Sequence, residues 1–373
     1  MSEEKHTAVR RVAGRAFTTG ELLDYEKFID ETASQLISIM RNRRCLNATL
    51  WFQCFATEVV NRVAFTDKMG FLDQGGDVEG LIAVAEQRFD YWNKWAALPG
   101  LEWLLAKSPI AQLRRRPDSV LALVSRKKIM SRGKEKREQS MKEGSMDLLQ
   151  KLLDGQAKHP GRLSDDDILG VVMSIMSAGA DTTATTFVAI LFHLMKYPKV
   201  LAKLRAEVDQ GVTGGSISNP PSWKEVYQLP YLEAVVKETM RYWPPFAFGI
   251  DRIVPDPGAM IAGTMIPPGA EIGAQVESVH RDYSVYGSDA DEYRPERWIE
   301  ASEGQHALME KSFLGFSTGK RVCLGMHIAI MELKKVIPLI LMNFDVSPGP
   351  IMVSDSCGIS AILCSTMLYT TCE

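Results

Sequence analysis

From Ser164 to about Tyr197 apolar residues recur at helical period. Ser164 stands three residues before Asp167 as an N-cap pair, and Pro198 closes the run. At 1.5 Å per residue such a helix is ~45–50 Å long, enough to cross a whole domain, so the rest of the chain must fold around it. Midway the pattern gives way to Ser177-Ala178-Gly179-Ala180-Asp181-Thr182-Thr183-Ala184-Thr185-Thr186. Small residues thin a helix so that a ligand reaches its backbone, and a carboxylate beside a hydroxyl in a dry core relays protons. The same residues also read as a break at Gly179 with Asp181 capping a second helix, and both readings stay open.

Most other segments share the helical period: Leu22 to Met40, Thr57 to Phe65, Val78 to Trp92 and Trp223 to Trp243. Strand character gathers between Ile250 and Glu277, where short apolar runs are cut by Pro255, Pro257-Gly258, Gly263 and Pro267-Pro268-Gly269. The fold class is therefore mainly α with a small β region rather than a second domain. With 373 residues, 46% of them hydrophobic, the chain has apolar material for one large or two ordinary globular domains, which excludes a disordered or fibrous class. Its 43 basic and 46 acidic residues leave a net charge of -3, so no global field draws it to nucleic acid. The basic run from Arg114 to Arg137 reads as a solvated helix face and connector or as a docking patch, and Gly211 to Pro221 as a surface loop.

The six cysteines, at 45, 54, 323, 357, 364 and 372, show no disulfide framework, so a reducing compartment is the default. The first residues lack the apolar core of a signal peptide, and no stretch of about 18 uncharged apolar residues is present. As written, the chain is expected to be soluble or peripheral.

A second local signal is Phe316-Ser317-Thr318-Gly319-Lys320-Arg321-Val322-Cys323-Leu324-Gly325 ahead of the helical run Met326 to Ile337. A cysteine before a helix meets unpaired N–H groups and the positive dipole end, which favour thiolate and metal ligation. Gly319 and Gly325 let backbone pass close to a flat ligand. By itself such a cysteine also reads as a small buried hydrophobe. Gly319-Lys320 is followed by Arg321 and lacks an upstream glycine, so it is no phosphate loop. Cys323 and His327 have zinc-ligand spacing, but no second Cys/His pair accompanies them. Third, Glu238 and Arg241 share one helix face. They read as a surface pair, or with Arg297 as a planar buried network.

The order and spacing of Ala178-Gly179-Ala180-Asp181-Thr182-Thr183, Glu238-Thr239-Met240-Arg241, Pro295-Glu296-Arg297-Trp298 and Phe316 to Gly325 resemble the oxygen-groove, Glu-x-x-Arg, Pro-Glu-Arg and Cys-loop motifs of the cytochrome P450 family. The similarity runs from about His6 to Val346 and is closest in character to filamentous-fungal members of secondary metabolism, including the pisatin demethylase-like group. It implies a cytochrome P450 fold and haem b (iron protoporphyrin IX) ligated by the thiolate of Cys323. The haem is non-covalent, since no Cys-x-x-Cys-His occurs. Phe316 matches the aromatic near the sulfur, and Arg321 and Arg252 match haem-propionate partners. His6 with Arg10 resembles the family's Trp-x-x-x-Arg helix with His for Trp. Gly179 would shape the oxygen groove, Asp181 and Thr182 would deliver the protons of oxygen activation, and Glu238, Arg241 and Arg297 match a structural triad. Phe246-Ala247-Phe248-Gly249 lies where relatives line the substrate pocket.

By resemblance the chain starts late, at the third major helix, so that residues 1–347 make a partial cytochrome P450 domain. Residues 348–373 form an atypical Ser/Cys/Thr-rich tail in which Ala361 to Thr371 still has strand character. The implied function is haem-dependent monooxygenation of a small apolar secondary metabolite with molecular oxygen. The alternative is an inactive truncated fragment that binds no haem. Lacking a GxGxxG fingerprint, the chain would take electrons from a separate NADPH-dependent cytochrome P450 reductase, with Lys320, Lys334 and Lys335 as candidate docking residues. A full-length relative is expected on the cytoplasmic face of the endoplasmic reticulum membrane, held by an N-terminal anchor missing here.

Overall fold

The computed structural model describes residues 3–43, 45–95, 98–108, 119–132, 147–247 and 249–346, and the backbone of 362–364 and 368–370. It is mainly helical with a few short strands, as the periodicity predicts. The chain divides into two units, one of Met1–Ala184 with His327–Ala329 and Met352–Leu363, the other of Thr185–Met326, Ile330–Ile351 and Cys364–Glu373.

The first unit is built from α1 (Glu3–Ala13), α2 (Thr19–Arg41), α3 (Ala48–Phe65), α4 (Leu81–Trp95), α5 (Val120–Ser131), α6 (Leu148–Lys158) and the first part of α7 (Asp165–Lys196). In α2 the buried Leu22, Tyr25, Ile29 and Leu36 repeat every three to four residues or in multiples, one stripe against the core. By contrast α3 is buried nearly all round, through Trp51, Phe52, Phe55, Val59 and Val63, as befits a central helix. It begins nine residues before the predicted Thr57, because the Asn47 side chain accepts from Leu50 N–H at 3.2 Å and caps it. After α3 the buried Glu58 carboxylate accepts the N–H groups of Met69, Gly70 and Phe71 at 2.6–2.8 Å, so the turn takes no unsatisfied donors inward.

The Ser164–Asp167 pair closes as a reciprocal cap: Ser164 N–H donates to the Asp167 carboxylate at 3.0 Å, and Asp167 N–H to Ser164 Oγ at 3.2 Å. From there α7 runs unbroken through Gly179, so Asp181 does not cap a second helix. By length and composition α7 alone among the described helices suits a membrane span, but 56% of its most apolar window is buried in the protein, as in a core helix.

The second unit continues from the end of α7 into α8 (Pro198–Thr213), α9 (Pro230–Tyr242), four strands, α10 (Glu303–Ser312) and α11 (Met326–Asn343). The helical run Trp223 to Trp243 is two helices, because Pro230 has no N–H to continue the first and instead opens α9 at its first turn, where the helix of Glu238 and Arg241 is expected to begin. The β region is two antiparallel ribbons: β1 (Gly249–Ile253) pairs β4 (Glu271–Gln275) from Gly249↔Gln275 to Ile253↔Glu271, and β2 (Ala259–Ile261) pairs β3 (Thr264–Ile266). Gly258 carries φ +114°, where a Cβ would also sit 2.8 Å from the Ile266 carbonyl oxygen, so only glycine fits.

Three tentative stretches resolve differently. The Gly211 loop starts after Thr213, with Gly211 inside α8 and a Cβ there meeting Ile217 at 2.3 Å. In the basic run, Lys128 pairs with Asp67 at 2.8 Å and Arg132 with the buried Asp147, while Arg114 to Arg116, Lys134, Lys136 and Arg137 lie outside the described residues. In the tail, β6 (Leu368–Thr370) pairs antiparallel with β5 (Phe344–Val346), where strand character was expected, and the intervening 347–361 lie outside the described residues.

Candidate active site

In the second unit the Cys loop is a sequence of tight turns. Ser317 N–H donates to Leu314 O at 2.9 Å, Val322 N–H to Gly319 O at 3.2 Å, and Cys323 N–H back to Phe316 O at 2.8 Å. Ser317 and Gly319 take the left-handed values 61° and 67° that this path needs. Cys323 is thereby fixed opposite the Phe316 carbonyl, just before the first turn of α11, with Gly325 between. It is an exposed thiol outside any disulfide and not a small hydrophobe in the core. Arg252 on β1 reaches the same loop, its Nη2 3.5 Å from Ser317 Oγ and its Nη1 donating to Asp251 O at 2.8 Å. Arg321 and Lys320 are exposed on the loop itself.

The other two lysines depart from expectation. Lys334 and Lys335 are 1% and 2% exposed, so they offer no docking surface. They lie on the inward face of α11, and the Lys334 ammonium donates to Tyr227 O at 2.6 Å and pairs with Glu233 at 3.1 Å.

Glu238, Arg241 and Arg297 come together as a network, 0%, 0% and 2% exposed, so the surface-pair reading falls. Arg241 grips both Glu238 oxygens at 2.9 and 2.8 Å, and Arg297 Nε donates to Glu238 Oε1 at 3.0 Å. Trp298 Nε1 and Arg294 N–H complete the carboxylate shell at 3.0 and 2.8 Å. The spare guanidinium donors end on the carbonyls of His280, Ala290, Glu292, Tyr286 and Asp289, at 2.6 to 3.1 Å. Every charge is met by hydrogen bonds, the condition under which buried ions are tolerated.

Sequence reasoning missed His280. It is fully buried, its Nδ1 lies 3.2 Å from Arg241 O, and its Nε2 accepts Leu314 N–H at 2.8 Å. One imidazole thus ties the triad helix to the entry of the Cys loop, and its ring stacks on Phe313 at 5.3 Å. Accepting at Nε2 requires a neutral ring with the proton on Nδ1. Burial pushes its pKa down to about 4 and keeps it so. No motif flags a lone histidine 39 residues from its partner.

In the first unit Gly179, Asp181 and Thr182 share one turn of α7. A Cβ on Gly179 would lie 2.7 Å from Val60 Cγ2, so this glycine lets α3 approach closely. Thr182 Oγ1 donates to Ala178 O at 2.7 Å. The Asp181 carboxylate turns to α3, where Gln53 Nε2 donates to Oδ1 at 2.7 Å. Burial pushes the Asp181 carboxyl up, the Gln53 hydrogen bond opposes this, and the charge of Glu86 adds to it. His6 and Arg10 are half-buried on α1, with His6 Nδ1 3.8 Å from Glu3. Phe246 is exposed and Phe248 lies outside the described residues.

The sequence model of the cytochrome P450 family matches residues 1–360. A cytochrome P450 monooxygenase of Aspergillus terreus is 33% identical over 358 residues, which cover 93% of this chain and 72% of the relative. Cytochrome P450 monooxygenase cicH of Emericella nidulans is 31% identical, covering 92% and 70%. Cytochrome P450 monooxygenase mpaDE of Penicillium roqueforti is 30% identical over 93% of this chain, which spans 41% of that relative's length. With the motif residues in place and nearly the whole chain matched, this protein belongs to the cytochrome P450 family of monooxygenases.

Proposed function

We propose that the chain holds haem b through the Cys323 thiolate and inserts one atom of molecular oxygen into a small apolar secondary metabolite, with electrons from a separate NADPH-dependent reductase. The observation that carries this is the exposed Cys323 thiol, pinned by its own N–H to Phe316 O before the first turn of α11. The donor set fits the group: a soft sulfur at the positive end of a helix, with Arg321 on the loop and Arg252 reaching it from β1 to meet carboxylates. When bound, the haem supplies dioxygen binding and activation, which the thiolate's electron donation favours.

The residues divide the remaining work. Arg252 and Arg321 bind and orient the propionates. Phe316, whose carbonyl accepts the Cys323 N–H, fixes the cysteine's place in the loop. Gly325 leaves the Cys loop open on one side, since a Cβ there would meet nothing within 4 Å. Asp181, its carboxyl raised by burial, holds a proton that Thr182 passes on, and Gly179 keeps that turn of α7 seated on α3. The Glu238, Arg241 and Arg297 network holds the loop's support rigid without touching the reaction. Lys320, exposed on the Cys loop, faces the reductase, and the protein works at the endoplasmic reticulum membrane.

The test is incubation with reductase, NADPH, ¹⁸O₂ and a mixture of small apolar fungal metabolites. The wild-type protein is expected to give products heavier by one ¹⁸O atom, and Cys323→Ser none. Labelled products at equal yield from both would remove Cys323 from its role.

A further inference from the structure

In the second unit a run of hydrogen bonds leads from the buried triad to the cysteine. His280 ends the short helix Val276–His280 and is bracketed by Arg241: Arg241 Nη1 donates to His280 O at 2.8 Å, and His280 Nδ1 donates back to Arg241 O at 3.2 Å. Its Nε2 accepts Leu314 N–H at 2.8 Å. Leu314 O in turn accepts Ser317 N–H at 2.9 Å, and the carbonyl of the preceding Phe316 accepts Cys323 N–H at 2.8 Å. Phe313 adds a second hold, its ring stacked on the imidazole with 5° between the planes. The same ring lies over the Gly315 backbone, where a Cβ would meet Phe313 Cζ at 2.6 Å and Met240 Cε of α9 at 3.2 Å. A buried side chain locked by its own partners fixes whatever it bonds, and a bond to main chain at one end of a tight turn carries through that turn.

We propose that His280 is a positioning residue for Cys323, setting, through Leu314 and the turn from Leu314 to Ser317, the place at which the sulfur is presented. The two nitrogens have separate tasks. Nδ1 anchors the ring to α9, and Nε2 holds the loop. The bearing on haem rests on the reading of Cys323 given above: a sulfur kept in place retains iron, and a loop that opens at Leu314 loses it.

The test sets His280→Gln against His280→Asn in the full chain. Gln reaches as far as Nε2 and keeps an acceptor for Leu314 N–H, Asn reaches only Nδ1 and keeps the bond to Arg241 O, and both give up the ring on Phe313. Without haem, amide hydrogen exchange at Leu314, Ser317 and Cys323 is expected to be about tenfold faster in His280→Asn than in His280→Gln, roughly the worth of one hydrogen bond. Exchange in α8, which reads opening of the whole unit, is expected to be equal in the two. In the wild-type chain, which needs no variant to fold, the three loop amides are expected to open together with one common urea dependence. With haem loaded, its transfer to excess apomyoglobin is expected to be about tenfold faster from His280→Asn. Acceleration confined to Leu314, equal exchange in both variants, or a wild-type Cys323 amide that opens independently of Leu314 would overturn the positioning role. Equal haem release from variants whose exchange differs would overturn its bearing on haem. The expected exchange in a chain that takes up no haem would uphold the placement of Cys323 and sink the haem reading alone.

Discussion

Glu238 shows how one carboxylate organises a region. Its two oxygens receive Arg241, Arg297, Trp298 and the Arg294 N–H, and the Glu238, Arg241, Arg297 and Trp298 side chains are buried. Glu238→Ala leaves Arg241 buried without its counter-charge and Arg297 with Asp289 alone, and is predicted to cost ~3–5 kcal/mol, read as a lowered urea midpoint. Two histidines make a second prediction. Burial pushes His193 and His280 down to about 4, against an ordinary value near 6.5 in the unfolded chain. Between about pH 6.5 and 4 the unfolded state therefore binds more protons, so their contribution to stability is full above 6.5, falls as pH falls through that window, and levels below it. His193→Phe keeps the ring stacked on Tyr293, 4.5 Å away, and is predicted to flatten the pH dependence of the urea midpoint in that window. An unchanged slope would show that His193 is not held neutral. Of these residues the sequence revealed Glu238, Arg241 and Arg297 through motif spacing. It was silent on His193 and His280, whose importance comes from burial and, for His280, from partners 34 and 39 residues away that no local pattern encodes.

At the scale of elements, α7 was legible because its cap, its period and its closing proline agree, and a reciprocal Ser164–Asp167 bond is what that agreement predicts. What the pattern left open was whether Gly179 breaks the helix. Packing decides it: the absent Cβ is what admits Val60 of α3. Gly179→Leu is predicted to destabilise by ~1–3 kcal/mol through overpacking, with partial rescue by Val60→Ala, and calorimetry of the two single variants and the double variant reads this coupling. Additive losses would contradict the contact. The start of α3 was missed for a simpler reason, since an Asn cap shifts a boundary without disturbing the apolar period, whereas the start of α9 at Pro230 was legible from the proline itself. The two lysines on α11 were misjudged because proximity in sequence to Cys323 says nothing of which helix face turns inward.

For the molecule as a whole, family membership rests on a match across residues 1–360 and on motif residues that the structure assembles within each unit. The central claim is that this chain, as it stands, folds a site in which Cys323 binds haem iron as thiolate. The most direct measurement is the carbon monoxide difference spectrum of the dithionite-reduced protein, produced with haem supply. The account predicts a red-shifted, thiolate-type Soret band that is lost in Cys323→Ser. Absence of any haem signal from folded protein, or a band of the imidazole type that survives Cys323→Ser, would contradict it.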